Sequence, residues 1–122
     1  MDTQKFGSHL EGKLVVVTGA SKGIGRGLAQ IIAAEGAVVA LAARDTQALA
    51  EVKETIESNG GMAYTFALDL RRVESIRACF ERIEAQLGSI DVLVNNAGMG
   101  NPIAAEDITE EDWDWMMDLN LK

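Results

Sequence analysis

The sequence predicts an α/β fold in which one parallel β-sheet is covered by helices. Four short runs rich in Val, Leu, Ile and Ala alternate with stretches whose apolar residues recur at helical spacing. Glycines stand where several of these helical stretches stop, as is usual at helix ends. Strands that alternate with helices pair in parallel through right-handed crossovers, and the expected strand order is 3-2-1-4.

The first two predicted strands flank an amphipathic helix. Residues 13–20, KLVVVTGA, form a β-branched run that predicts a strand buried on both faces and ending in a glycine turn. The helix that follows is predicted to end at Gly36 and to bury a stripe of Ile24, Leu28, Ile31 and Ile32. Residues 37–43, AVVALAA, predict the second strand.

The rest of the chain repeats this alternation. Leu49, Val52 and Ile56 predict a second helix, which ends at residues 59–61. Residues 62–70 predict the third strand and residues 91–98 the fourth. Between them lies a third helix that is stopped by Gly88 and buries Val73, Ile76, Phe80, Ile83 and Leu87. A last helix is expected to start near Thr109, with acidic residues that suit the helix dipole in its first turn.

Composition limits the classes of partner. With 48% hydrophobic and 25% charged residues, 122 residues predict one globular domain, preceded by a loose arm at 1–12. A net charge of −8 disfavours nucleic acid and anionic membranes. Cys79 is the one cysteine and His9 the one histidine, so we expect no internal disulfide, no Cys/His zinc site and no other metal site. Cys79 is expected to lie in the core. No apolar run reaches the ~20 residues of a membrane helix, and we expect a cytoplasmic protein.

Gly19, Gly23 and Gly25 follow a predicted strand and open a predicted helix. This context predicts a phosphate-binding loop, because glycine permits the tight turn and lets backbone N–H groups approach a pyrophosphate. The spacing is G-x-x-x-G-x-G, which matches neither the G-x-G-x-x-G fingerprint nor a Walker loop. Helix capping alone would account for one or two of these glycines.

Four motifs in register resemble the short-chain dehydrogenase/reductase family, and within it the ketoreductase-like branch. They are TGASKGIG at 18–25, DL at 69–70, NNAG at 95–98 and DLNLK at 118–122. The resemblance extends from about Glu11 onward and implies a Rossmann-type, doubly wound parallel sheet. It also implies that this sheet is incomplete at four strands, so that residues 1–122 would be the N-terminal part of a single NAD(P)-binding domain.

The same resemblance implies a site for a nicotinamide dinucleotide. The pyrophosphate and adenosine side would be held by Gly19, Ser21, Lys22, Gly23, Ile24 and Gly25. Asp69 would accept a hydrogen bond from the adenine amino group, beside the Leu70 amide, although a carboxylate that ends a strand can instead cap the next helix. The turn formed by Asn96, Ala97 and Gly98 would border the nicotinamide ribose, or be a plain strand-ending turn.

The end of the second strand bears on which dinucleotide binds. A ribose 2′-hydroxyl needs an acceptor carboxylate at this point, whereas a 2′-phosphate needs a cation. By register the position is Ala43, which is followed by Arg44, and Lys22 lies in the glycine loop. Two cations favour NADP(H) over the alternative, NAD(H). Asp45 would weaken this preference if the strand ended one residue later.

The resemblance implies hydride transfer between the nicotinamide and a small carbonyl or alcohol substrate. Asn120 matches the family's active-site asparagine, which supports the proton relay, although a helix asparagine is usually only solvated. The reaction also needs a serine and a Tyr-x-x-x-Lys pair, and the chain's one tyrosine, Tyr64, is followed four residues later by Leu68. We therefore expect the cofactor-binding half of an NADP(H)-dependent oxidoreductase, with a homo-oligomer implied. The alternative is a non-catalytic dinucleotide-binding or oligomerising module.

Overall fold

Four parallel strands form one sheet, with the chain passing from one side of β1 to the other after the third strand. The computed structural model describes residues 10–96. In chain order the elements are β1 (Leu14–Thr18), α1 (Gly23–Ala34), β2 (Val38–Ala43), α2 (Thr46–Ser58), β3 (Met62–Ala67), α3 (Val73–Leu87) and β4 (Val92–Asn95). The strand order is β3-β2-β1-β4, which confirms the predicted Rossmann-type arrangement.

The register of the sheet brings the carboxyl ends of the strands to one edge. Thr18 at the end of β1 pairs with Ala42 of β2 on one side and with Asn95 of β4 on the other. Ala43, the last residue of β2, pairs with Ala67, the last residue of β3. The loops that follow β1, β2 and β3 therefore start side by side, which is where open α/β sheets bind ligands.

The sheet buries a separate apolar layer on each face. Val16 of β1 packs with the α3 residues Ile76, Phe80 and Ile83, all of which are buried. Val15 and Val17 point to the other face and pack with α1 and α2. Because successive side chains in a strand face opposite sides, the unbroken apolar run of β1 is buried on both, as predicted.

The stripe predicted to be buried along α1 was wrong at two of its four positions, whereas Ile32 packs partly buried against the core and Leu28 is also partly buried. Ile24 and Ile31 are 68% and 63% exposed, and the fully buried positions are instead Gly25, Ala29 and Ala33. These small residues recur every four positions along one face of the helix, so the α1 backbone can lie close to the sheet. Close approach, rather than side-chain size, determines which face of α1 is buried.

Several predicted bounds differ from the observed ones, and some predictions lie outside the described residues. The strand predicted at 62–70 ends at Ala67, and the residues after it belong to the loop at the sheet edge. Cys79 is buried in the core, as predicted. Residues 1–9 of the arm predicted at 1–12 lie outside the described range, as does everything from residue 97 onward, including the helix expected near Thr109.

Candidate functional site

A cavity of about 580 Å³ opens at the carboxyl edge of the sheet. It is lined by residues of the three loops that follow β1, β2 and β3: Gly19, Ser21, Lys22, Ala43, Arg44, Asp45, Leu68, Asp69, Leu70 and Arg71. Six residues predicted for cofactor binding are among them: Gly19, Ser21, Lys22, Arg44, Asp69 and Leu70. The fold thus brings distant parts of the sequence to one cavity.

The loop after β1 borders this cavity and leads into the N-terminus of α1. Gly19 and Gly23 have φ angles of 65° and 61°, which residues with a side chain rarely adopt. The Gly19 N–H donates to the Ala42 carbonyl at 2.8 Å, which holds the turn against β2. Lys22 is the N-cap of α1, and its side chain makes no capping hydrogen bond. The first N–H groups of a helix lack intrahelical partners, so this end of α1 favours an anion.

Gly25 is required by a close approach of the chain. A Cβ at this position would press against the Gly19 carbonyl oxygen and lie 2.6 Å from Asn96 Nδ2. Asn96 Nδ2 itself donates to that carbonyl at 3.3 Å. One residue earlier, the Thr18 hydroxyl donates to Asn95 Oδ1 at 3.0 Å, so Asn95 and Asn96 at the end of β4 contact the end of β1 and the glycine that follows it.

Three residues of the predicted loop lie away from the cavity lining. Gly23 is exposed, Ile24 is 68% exposed, and Gly25 is buried beneath the turn. Asn96 reaches the site through Gly19. Ala97, Gly98 and Asn120 were also predicted to act here, and all three lie outside the described residues.

The loop after β2 offers one cation and one carboxylate, and only the carboxylate is already bound. β2 ends at Ala43, which is the strand end predicted from the sequence. Asp45 is the N-cap of α2, and its Oδ1 accepts the Ala48 N–H at 3.0 Å. Arg44 is exposed, and within residues 10–96 it forms no ion pair. The competing acid is therefore engaged in capping while the guanidinium can meet a ligand.

The loop after β3 contains a charged pair that sequence reasoning missed. Arg71 Nε and Nη2 donate to Asp69 Oδ1 and Oδ2, each at 3.0 Å, and the Arg71 backbone N–H also donates to Oδ1 at 3.0 Å. The hydrogen bonds and charge of Arg71, with a smaller effect from Arg44, lower the pKa of the Asp69 carboxyl to about 2. The pairing in turn raises the pKa of Arg71.

Ser75, in the first turn of α3, also contacts this loop, and it too was absent from the predicted set. Its hydroxyl oxygen accepts the Asp69 backbone N–H at 2.9 Å, across the first turn of α3. For the Asp69–Arg71 pair, the only signal in the sequence was the D-x-R spacing, which is compatible with a contact between the two side chains. The N-cap of α3 is Arg72, so the Asp69 side chain does not cap this helix.

The charged and polar groups at this edge suit a phosphorylated ligand that carries a base. The N-terminus of α1 favours an anion, Lys22 and Arg44 supply positive charge, and Asp69 supplies an acceptor carboxylate. Among the described residues, His, Cys, Asp and Glu side chains form no group of three that could hold a metal ion. No helix within residues 10–96 combines the length and apolarity needed to span a membrane.

Comparison with known proteins identifies relatives across most of the chain. The family model for short chain dehydrogenase matches residues 13–122. The 3-oxoacyl-(acyl-carrier-protein) reductase FabG of Vibrio harveyi is 37% identical, over 93% of this chain and 45% of that protein. The chain spans about half the length of the curated relatives it matches.

Solved structures show the same similarity with two different cofactors. A metagenomic short-chain oxidoreductase in complex with NADP has a TM-score of 0.71 and 41% identity, over 86% of this chain and 48% of that one. An oxidoreductase of Haemophilus influenza with bound NAD has a TM-score of 0.67 and 29% identity, over 73% of this chain and 32% of that one. With the matched family model, the strand order and the glycine loop, these likenesses establish that the chain belongs to the short chain dehydrogenase family.

Proposed function

We propose that this chain forms the NADP(H)-binding half of an oxidoreductase that transfers hydride between the nicotinamide and a carbonyl or alcohol substrate. The pyrophosphate would lie against the glycine loop and the N-terminus of α1. The adenosine would occupy the cavity between the loops after β2 and β3. Family membership supports the reaction class, and the FabG relative is named as a reductase of a 3-oxo group.

The preference for NADP(H) rests on one observation about the loop after β2. A carboxylate at this point would accept hydrogen bonds from the ribose hydroxyls of NAD(H) and repel a 2′-phosphate. Here the carboxylate of Asp45 is turned to the Ala48 N–H, whereas Arg44 lies on the cavity without an ion-pair partner in the described chain. A guanidinium binds phosphate through paired N–H donors, so Arg44 favours the phosphorylated cofactor.

Binding of the two cofactors to an Arg44→Asp variant tests this preference. The substitution removes the cation and adds a repelling carboxylate, so the affinity for NADPH should fall by about 10- to 100-fold, which corresponds to a hydrogen bond with a charged group. The affinity for NADH should change much less. Arg72→Asp is the matched control, because Arg72 is exposed and does not line the cavity. Equal losses for both cofactors would contradict the assigned register.

Turnover needs groups that the described residues do not supply. Tyr64 lies in β3, where the Lys53 ammonium is 5.8 Å from its ring centre, and it has no lysine four residues later. The family resemblance assigns the proton transfer to a serine and a Tyr-x-x-x-Lys pair, and the 122 residues contain no Tyr-x-x-x-Lys. The test is NADPH oxidation with carbonyl substrates by the full-length protein that contains this chain. Cofactor binding without any turnover would instead support a non-catalytic dinucleotide-binding module.

Two further expectations stay predictions. Assembly into a homo-oligomer is implied by the family resemblance and can be measured by the solution mass of the purified protein. A cytoplasmic location is the other, and localisation of a tagged protein would test it.

A further inference from the structure

We propose that Arg71 is a positioning residue for cofactor selection, which holds the Asp69 carboxylate and so keeps Arg44 available for the 2′-phosphate. The inference rests on the proposed function, because it concerns the same cavity. It goes beyond that function by assigning a role to a residue that is not expected to touch the phosphate. Arg71 would act through a neighbouring acid.

The geometry of the pair shows how firmly Asp69 is held. Three N–H groups of Arg71 reach it at 3.0 Å, two of them on Oδ1 and one on Oδ2. An ionised carboxylate has about four lone-pair sites, so Oδ2 can still accept one more hydrogen bond. Asp69 can therefore remain bound to Arg71 and also accept from the amino group of an adenine.

The charges around the cavity show what Arg71 prevents. Asp69 and Arg44 both line the cavity, and the charge of Arg44 already contributes to the low pKa of Asp69. The Asp69 side chain is 23% exposed, so its charge faces the cavity rather than the core. Without Arg71, this carboxylate would attract the Arg44 guanidinium and repel a phosphate dianion. Arg71 neutralises the acid locally, and the cavity keeps its positive charge for the ligand.

Two nucleotides that differ only in the 2′-phosphate isolate this effect. We would measure binding of 2′,5′-ADP and 5′-AMP to the wild-type chain and to the Arg71→Leu variant by titration calorimetry. The affinity for 2′,5′-ADP should fall about tenfold, whereas that for 5′-AMP should stay within about threefold. Arg72→Leu removes the same charge one residue away from the cavity lining and should change neither affinity. Circular dichroism of each variant verifies that it is folded.

A double-mutant cycle distinguishes action through Asp69 from direct contact with the phosphate. In an Asp69→Asn background the carboxylate charge is gone, so Arg71→Leu should no longer reduce 2′,5′-ADP binding. A tenfold loss that persists in this background would overturn the inference and make Arg71 a direct phosphate ligand. An unchanged affinity in the Arg71→Leu variant would overturn it as well. If the wild-type chain binds 2′,5′-ADP no better than 5′-AMP, the proposed NADP(H) preference itself fails, which is a separate result.

Discussion

The Gly25→Ala substitution tests whether the close contact beneath the glycine loop determines stability. The added methyl group would press against the Gly19 carbonyl and lie 2.6 Å from Asn96 Nδ2, so the loop or β4 must move. Overpacking of this kind costs about 1–3 kcal/mol, and loss of the Asn96–Gly19 hydrogen bond costs about 1 more. Alanine in a helix regains about 1 kcal/mol relative to glycine. The free energy of unfolding should therefore fall by about 1–3 kcal/mol.

Gly27→Ala is the matched control within the same helix. A Cβ at Gly27 would meet no atom within 4 Å, and neither glycine has a positive φ. The control variant should be stabilised by about 0.5–1 kcal/mol through its lower unfolded-state entropy and better helix propensity. The unfolding free energies of the two variants should thus differ by about 1.5–4 kcal/mol.

Urea unfolding followed by circular dichroism measures the free energy of unfolding of both variants. Titration with NADPH measures whether the glycine loop still binds the cofactor. Gly25→Ala should also bind NADPH less tightly than the wild-type chain, because the turn that carries Gly19 is displaced. Gly27→Ala should keep the wild-type affinity. Equal unfolding midpoints for the two variants would refute the contact between Gly25, Gly19 and Asn96, and with it the placement of β4 beside the loop.

Further predictions concern the core, a helix cap and two titrating groups. Asp45→Ala should lower the free energy of unfolding, measured in urea, by about 1 kcal/mol because the α2 cap is lost, whereas Asp45→Asn should keep most of the stability that the cap contributes. Ala29→Leu should cost about 1–3 kcal/mol by overpacking the α1 interface, whereas Ile31→Ala, at a 63% exposed site, should stay within about 0.5 kcal/mol. Burial raises the pKa of Cys79 to about 11, so iodoacetamide should label it slowly in the folded chain at about pH 8 and quickly in urea; equal rates would contradict its burial. The pKa of Asp69 is lowered from 3.8 to about 2, so its contribution to stability is complete well above 3.8 and is lost as the pH falls toward 2; Asp69→Asn should flatten that part of the acid unfolding profile.

The sequence predicted the sheet well because its strands are encoded locally. The apolar run in β1 and the glycines after it indicate a buried strand and a turn without reference to the rest of the chain. The end of β2 at Ala43 was predicted in the same way, from the apolar run at 37–43, and Arg44, the next residue, lines the cavity. These features depend on neighbouring residues, which are visible in the sequence.

Features that depend on distance between elements were not predictable in this way. Ile24 and Ile31 are more hydrophobic than Ala29 and Ala33, yet the helix buries the alanines because its backbone lies close to the sheet. The Asp69–Arg71 pair depends on the conformation of a short loop, and the alternation of strands and helices says nothing about such a conformation. The contact of Asn96 with Gly19 spans 77 positions and requires the completed sheet.

That last contact has a consequence for the order in which the molecule folds. β1 and β2 can pair after closure of a short segment, with Val17 opposite Leu41, whereas the partner of Val17 on the other side is Val94. Closing the longer loop costs more chain entropy, so we expect β4 to dock after the other strands and to exchange its amide hydrogens sooner. Since Asn96 supports the Gly19 turn only once β4 is docked, competence to bind phosphate should arise late in folding. Local detachment of β4 in the native protein would then release bound cofactor without unfolding the remaining sheet.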